Sequence, residues 1–498
     1  MTTATTQGVD PDVLAEAVAA QIADGGRFAG LAASALAGGA TAIDALVAGR
    51  AGLVRLRAQL PASHRTYPSL TPLVPAAAWY EREIHDLFGL VPVGHPRLDP
   101  LVLPLADSGS VRPRPGSPDD PGEIQPDHAA LPPHVRGHGL FTLPYGPVRS
   151  GVFETVEYLL ETFGEDIPHL HTRVHHKHRG IERRFGDLAL ADGVLLAERV
   201  EGTVSVAHAS ALCQAVEAIA GVEPPQPAQL LRVAHAELER IAHHLDSMVR
   251  HSEGAGQAVA FARLTTHKEK VLRLRARLCG SRFGRGVIVP GGASGPPLCP
   301  VDDFLGDLAH LSRSIASDVG ALMATPSFLD RLRSTGIVSP EVAAAHGALG
   351  PVGRGSDLAE DVRVSRPYGA YRVLDVDPAP ASATGDALAR QQVRVHEIVA
   401  SVHLVEQALH QLKGSKGPWR VEGAWTAADG SALGWAEAPQ GELLYLVTME
   451  GGRLVRVKPR TASFHNLALF SSAFRGDIFT DFAFIEASFG LSIAGVAG

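Results

Sequence analysis

The longest patterned stretches of the chain read as helices. Ser205–Ala220 is apolar on a helical period and is ended by Gly221 and Pro224-Pro225. Pro227 is placed to open the next helix, which runs to about His251. Residues 258–279, closed by Gly280, and residues 300–323 and 386–412 follow, and long neighbours of this kind predict a helical bundle. Ahead of them, residues 11–23 read as a helix and 53–60 (LVRLRAQL) alternates as a strand. Near the C-terminus, 443–449 and 454–458 read as short strands. Between the two regions, residues 104–147 hold ten prolines and few apolar clusters. Proline fixes φ and removes a donor, so a linker or extended arm is expected there. The expected fold is an α+β N-terminal domain (1–103), the Pro-rich segment (104–147) and a mainly α-helical bundle domain with β additions (148–498).

Composition narrows the classes. In 498 residues the apolar share is 45%, the charged share 20% and the formal net charge −8. That is enough apolar material for a full core, which excludes global disorder. The charge excludes a strongly basic nucleic-acid binder. The three cysteines, Cys213, Cys279 and Cys299, cannot build a disulfide framework. With no secretory pattern at Met1, a reducing, cytoplasmic setting is expected. The most apolar C-terminal stretch, 483–498, is interrupted by Glu486 and too short to span a bilayer. No direct membrane span is expected, only peripheral attachment through partners.

Candidate chemistry is concentrated in a few places. His169, His171, His175, His176 and His178 form the densest group. His171 and His175 are spaced i,i+4, which on a helix presents two imidazoles to one metal; the plainer reading is a polar loop. Glu237, Arg240 and His244 share one helix face and would place a proton-accepting imidazole beside a fixed charge, or form an ion-pair stripe between helices. Between Arg263 and Arg285 eight Lys/Arg stand against Glu269. Such a run is more often a solvated face or a dock for an acidic partner than a phosphate site. Neither Gly291-Gly292 nor residues 350–355 form a dinucleotide or Walker loop. There is no GxSxG and no CxxC, so the chain supplies no thiolate cluster site of its own.

Taken in order, several segments resemble one family. Residues 67–90 (YPSLTPLVPAAAWYEREIHDLFGL), followed by Gly94-His95-Pro96, resemble the 30 kDa-type subunit of respiratory complex I. HRGIE (178–182), ELERIAHHL (237–245), PGGA (290–293), GRGSDLAEDVR (353–363), Pro367-Tyr368 and EAPQGE (437–442) resemble the 49 kDa-type subunit. That family includes the large subunits of group 4 membrane-bound nickel–iron hydrogenases of the formate hydrogenlyase and hydrogenase-4 type. The resemblance implies a hydrogenase large subunit or 49 kDa-like fold. The implied partners are an iron–sulfur small subunit, a ferredoxin-like subunit and membrane proton-channel-type subunits. A 4Fe-4S cluster would sit in the small subunit, near Arg179, Arg240 and His244 of this chain. NADH would not bind to this chain.

The same resemblance exposes departures. The family's first cysteine pair aligns with Glu201 and Val204, and its second with Ser492 and Gly495. A thiolate-rich site cannot be rebuilt from Glu, Val, Ser and Gly, so no metal and no cofactor are expected in this chain. The arginine that overhangs the metal aligns with Gln440, and the aspartate before the second pair with Gly490. Glu182, at the proton-gate position, is retained, and Glu182 and Glu201 are the proton-path candidates. Without a metal, Glu182 reads more readily as an ion-pair partner. The quinone-bonding positions of complex I fall near Phe153 and Gly202, with Arg149 at an earlier His position. A quinone is left open as a ligand of the cavity, with no residue to support it. The expected function is the large subunit of a membrane-associated, complex I-like oxidoreductase complex, taking part in electron transfer without nickel–iron chemistry. A non-catalytic scaffold or assembly subunit is the alternative, ahead of a quinone-reducing NADH dehydrogenase-type subunit.

Overall fold

In the computed structural model the described residues are 5–49, 52–103, 135, 137–149, 154–423, 425–496 and 498. Strands β1 (Thr5–Gly8), β2 (Arg27–Ala35), β3 (Thr41–Gly49) and β4 (Gly52–Leu60) form a sheet in the order β1-β4-β3-β2. It is antiparallel apart from β1 with β4. Helices α1 (Leu14–Ala23) and α2 (Ala78–Phe88) pack on it, with Leu14, Val18, Ile43, Leu56, Tyr80 and Ile84 in one core. The other face is covered too: Ala29, Ala32, Leu46 and Leu53 meet Leu433, Trp435, Leu444 and Leu446. Burial on both faces explains why β2 and β3 read as near-continuous apolar runs rather than alternating ones. The buried acid among them, Asp44, is held by Arg55 through two 2.8 Å bonds.

The second half is built from α3 (Ser205–Ala220), α4 (Gln226–Gly254), α5 (Ala258–Cys279), α6 (Val301–Met323) and α7 (Ala387–Leu412). All the long helices expected from the pattern are present, α4 continuing past His251 to Gly254. The bundle contains α4 to α7, whereas α3 lies on a sheet. That sheet is antiparallel, in the order Leu188–Ala189, β10 (Arg453–Arg460), β9 (Gly441–Glu450), β8 (Gly430–Ala438). Small residues let α3 sit flush. A Cβ at Gly434 would come within 2.0 Å of the Ala211 carbonyl oxygen. Cys213 is buried in this helix, where burial pushes its thiol up.

A third sheet is formed by β5 (Phe141–Tyr145), β6 (Glu157–Thr162) and β7 (His169–Arg173). The expected Pro-rich arm therefore ends in a paired strand; residues 104–134 lie outside the described set. The two expected domains also share cores rather than packing as separate units. Tyr80, Ile84 and Leu87 lie in one cluster with Phe464, Phe470 and Ile485. Among the described residues no helix is long and apolar enough to cross a membrane.

Candidate functional site

The segments aligned with the family's metal loops converge at the edge of the β8–β9 hairpin. Loop 199–204 leads into α3, Gln440 sits in the hairpin turn, and residues 490–496 end the chain's last helical turns. The turn is pressed so closely on Gly350 that a Cβ there would lie 2.2 Å from the Gln440 carbonyl oxygen. Arg179 ties the loops together. Its Nη2 donates to the carbonyls of Val200 and Ala494, both at 2.6 Å, and its Nη1 to that of Arg199 at 3.2 Å.

Glu201 occupies the centre, 2% exposed. Its Oε2 accepts from Gln440 Nε2 at 3.1 Å, and its Oε1 lies 3.7 Å from His208 Nε2. His208 Nδ1 is 2.7 Å from the Tyr445 hydroxyl, so Gln440, Glu201, His208 and Tyr445 form one buried polar row. Glu201 packs against Gly495 so tightly that a Cβ at that glycine would fall 2.0 Å from Oε1. The Gly495 carbonyl accepts from Thr461 Oγ1 at 2.6 Å.

The other aligned positions do not join this row. Val204 is fully buried in an apolar cluster with Leu212 and Val216. Ser492 Oγ donates to Glu154 Oε1 at 3.0 Å, and Glu154 also receives the backbone N–H groups of Ile493 and Ala494. Gly202 lies at the exposed tip of its loop. Phe153 lies outside the described residues. Arg149 grips Glu486 through both terminal nitrogens and stacks over Tyr145 and Tyr158.

Glu182 lies in a separate ionic cluster. It pairs with Lys458 and Arg456, each at 2.6 Å, and Lys458 also reaches Glu83 of α2 at 2.7 Å. Burial works to raise the Glu182 carboxyl, but Lys458 and Arg456 hold it low. Burial raises Glu83 to about 6 against the pull of Lys458. His178, on the same HRGIE segment, is pushed down to about 4 by burial.

Glu237, Arg240 and His244 do share one face of α4, and all are fully buried. Arg240 bridges Glu237 Oε2 (3.0 Å) and the carbonyls of Glu437 and Ala438. His244 Nε2 is 2.7 Å from Glu397 Oε2, while Arg354 holds Glu397 Oε1 at 2.6 Å. Burial drives His244 down to about 4, the Glu397 hydrogen bond pulling the other way. Burial also raises Glu437 to about 7, with Asp361 adding to it and Arg354 opposing.

The i,i+4 helical reading of His171 and His175 is overturned. His171 is on strand β7 and His175 on a short 3-10 turn, because residues 169–173 pair with β6. The Arg263–Arg285 run is largely a solvated face, except at Arg275, which is 1% exposed and turned inward to Glu239 at 3.5 Å. Arg263, Arg273, Arg277 and Arg282 are exposed and paired with Asp318, Glu269 and Asp307. His208, Tyr445, Glu154, Glu397 and Arg354 were not singled out by the sequence reading. The GRGSDL segment containing Arg354 was the one available signal.

Fold and site together define a large subunit of the complex I and hydrogenase type, with a 30 kDa-type segment fused ahead of it. The family described as respiratory-chain NADH dehydrogenase, 49 Kd subunit, matches residues 255–428 and 420–497. Its 30 Kd counterpart matches residues 41–113. Formate hydrogenlyase subunit 5 of Escherichia coli is 29% identical over 443 residues, covering 86% of this chain and 76% of the relative. Carbon monoxide-induced hydrogenase of Rhodospirillum rubrum is 30% identical, covering 66% of this chain and 90% of the relative. The membrane-bound hydrogenase subunit alpha of Pyrococcus furiosus is 30% identical, covering 70% and 84%. The chain belongs to this family of complex I-like hydrogenase large subunits. The donor set at the aligned loops does not fit a nickel–iron centre. It offers a carboxylate, an alcohol, an isopropyl group and a hydrogen where soft thiolates are needed, and Glu201 fills the space beside Gly495.

Proposed function

We propose that this chain is the large subunit of a complex I-like oxidoreductase complex that works without nickel–iron chemistry of its own. It clamps an iron–sulfur small subunit and shapes the electron-transfer environment of the partner's 4Fe-4S cluster, with ferredoxin-like and membrane proton-channel-type subunits alongside. The chain itself is peripheral, at the inner face of the membrane through those partners. The observation that carries the reading is the Glu201 carboxylate packed onto Gly495 and bonded to Gln440. An ion-binding pocket has been replaced by a self-satisfied polar core.

Arg179 supports the clamp. It bridges both former metal loops and is only partly buried, so it can face a docked subunit. Arg240 and His244 act from deeper in α4, through the Glu397 and Glu437 network. The proton role is assigned to Glu201, the buried carboxylate of the row, which faces His208 Nε2 at 3.7 Å. In the isolated complex, Glu201→Gln should lower proton-coupled turnover while leaving cluster content unchanged. Unchanged turnover removes the proton role and leaves the scaffold reading for this pocket.

A further inference from the structure

We propose that Glu161, His169 and His171 form a zinc-class cation site on the β6–β7 sheet, separate from the former metal loops. Residues two apart on a strand point to the same face, so His169 and His171 lie together while Leu170 between them enters the core at 1% exposed. Glu161 is the direct cross-strand partner of His169. Its carboxylate is thereby delivered to the same face, and one donor atom from each of the three residues lies within 4.8 Å of the other two.

The distances suit a small tetrahedral ion. His171 Nε2 lies 3.2 Å from Glu161 Oε1, and the two imidazole ring centroids are 4.5 Å apart. Zinc–nitrogen and zinc–oxygen bonds of about 2.0 Å place neighbouring tetrahedral ligands about 3.3 Å apart. The third donor lies within 4.8 Å of the other two and closes onto the ion when the set binds. Two neutral imidazoles and one carboxylate are a borderline donor set that selects zinc over calcium or magnesium. Three protein ligands leave the fourth position to water.

The surroundings hold the ligands in place. The backbone N–H of Val135 donates to Glu161 Oε2 at 2.8 Å, which turns Oε1 towards the histidines. Glu161 is 1% exposed and His171 13%, so the carboxylate is enclosed and the imidazole side retains partial solvent access. Among the described neighbours, Arg97 must adjust. Arg97 Nη1 is 3.4 Å from His171 Nδ1, and metal on Nε2 leaves the proton on Nδ1. Arg97 then gives up that long contact and keeps its 2.7 Å bond to Asp99.

The test uses the full chain loaded with excess Zn2+, passed through gel filtration with a weak chelator, and measured by elemental analysis. About one zinc per chain is expected for the wild type and for the surface control H403Q/H410Q. H169Q/H171Q should hold none, and E161Q should bind at least tenfold more weakly. Zinc absent from the wild type, or retained undiminished in H169Q/H171Q, overturns the site. Co2+ provides a readout that does not depend on a variant folding. Strong visible absorption of four-coordinate cobalt supports the site, and the weak spectrum of six-coordinate cobalt contradicts it.

Discussion

At the residue scale, the contact between Glu201 and Gly495 decides what the pocket can do. Gly495→Ala should force the Glu201 carboxylate away from Gln440 and cost about 1–3 kcal/mol, read as a fall in urea midpoint. Adding Glu201→Ala should recover part of that loss, a coupling that a purely local backbone effect at Gly495 would not produce. A second prediction concerns Glu237. Burial would raise its carboxyl, but Arg240, Arg363 and the hydroxyls of Tyr371 and Ser401 hold it at about 2 against an ordinary 4.5. The group is depressed, so its stabilisation is complete above pH 4.5 and is lost as pH falls towards 2. Across that window it amounts to about 3 kcal/mol. Unfolding curves between pH 6 and 3 should therefore fall less steeply for Glu237→Gln than for the wild type, and parallel curves would count against this assignment. Residue identities in the aligned loops were legible in the sequence because the family's motifs index them. His208 and Tyr445 were not: they meet across 237 positions, and no periodicity couples a helix to a strand that far away.

At the element scale, helical periodicity was a good guide and partnership was not. The ends of α3 to α7 follow from Gly and Pro punctuation that acts within a turn or two. That α3 leaves the bundle for the β8–β9 sheet depends on Gly434 and on the small residues facing it, a packing fact with no local signature. The histidine segment shows neither a helix nor a plain polar loop but a strand, for a related reason. Short strands show little periodicity, and β7 is fixed by pairing with β6. Strand β10 carries the joint between the two halves of the chain, Lys458 being shared by Glu83 and Glu182. Lys458→Met should cost about 3–5 kcal/mol, because it strands two buried carboxylates beside Arg456 alone. Removing one acid as well, in Lys458→Met/Glu83→Gln, should restore part of the stability in denaturant unfolding. A mild Lys458→Met phenotype would mean that the joint is held by apolar packing instead.

At the scale of the whole molecule, the N-terminal sheet is one wall of a shared core. Its two faces are covered by α1 and α2 on one side and by β8–β9 on the other, with Arg27 reaching Glu442 at 2.8 Å. A fragment beginning at residue 154 should consequently be recovered aggregated or molten, seen as lost near-UV dichroism with retained far-UV signal. A cooperatively folding fragment would show that the halves are independent. The same shared packing joins the former metal loops, Arg179 and the buried α4 network in one folded body. The central claim is that this body handles electrons only through a partner's cluster. The most direct measurement counts nickel and iron per large subunit in the native complex isolated from membranes, in the wild type and in H169Q/H171Q so that ions held by those histidines are recognised. The account predicts several iron atoms and no nickel at the former metal loops. One nickel per chain that survives in H169Q/H171Q would contradict it.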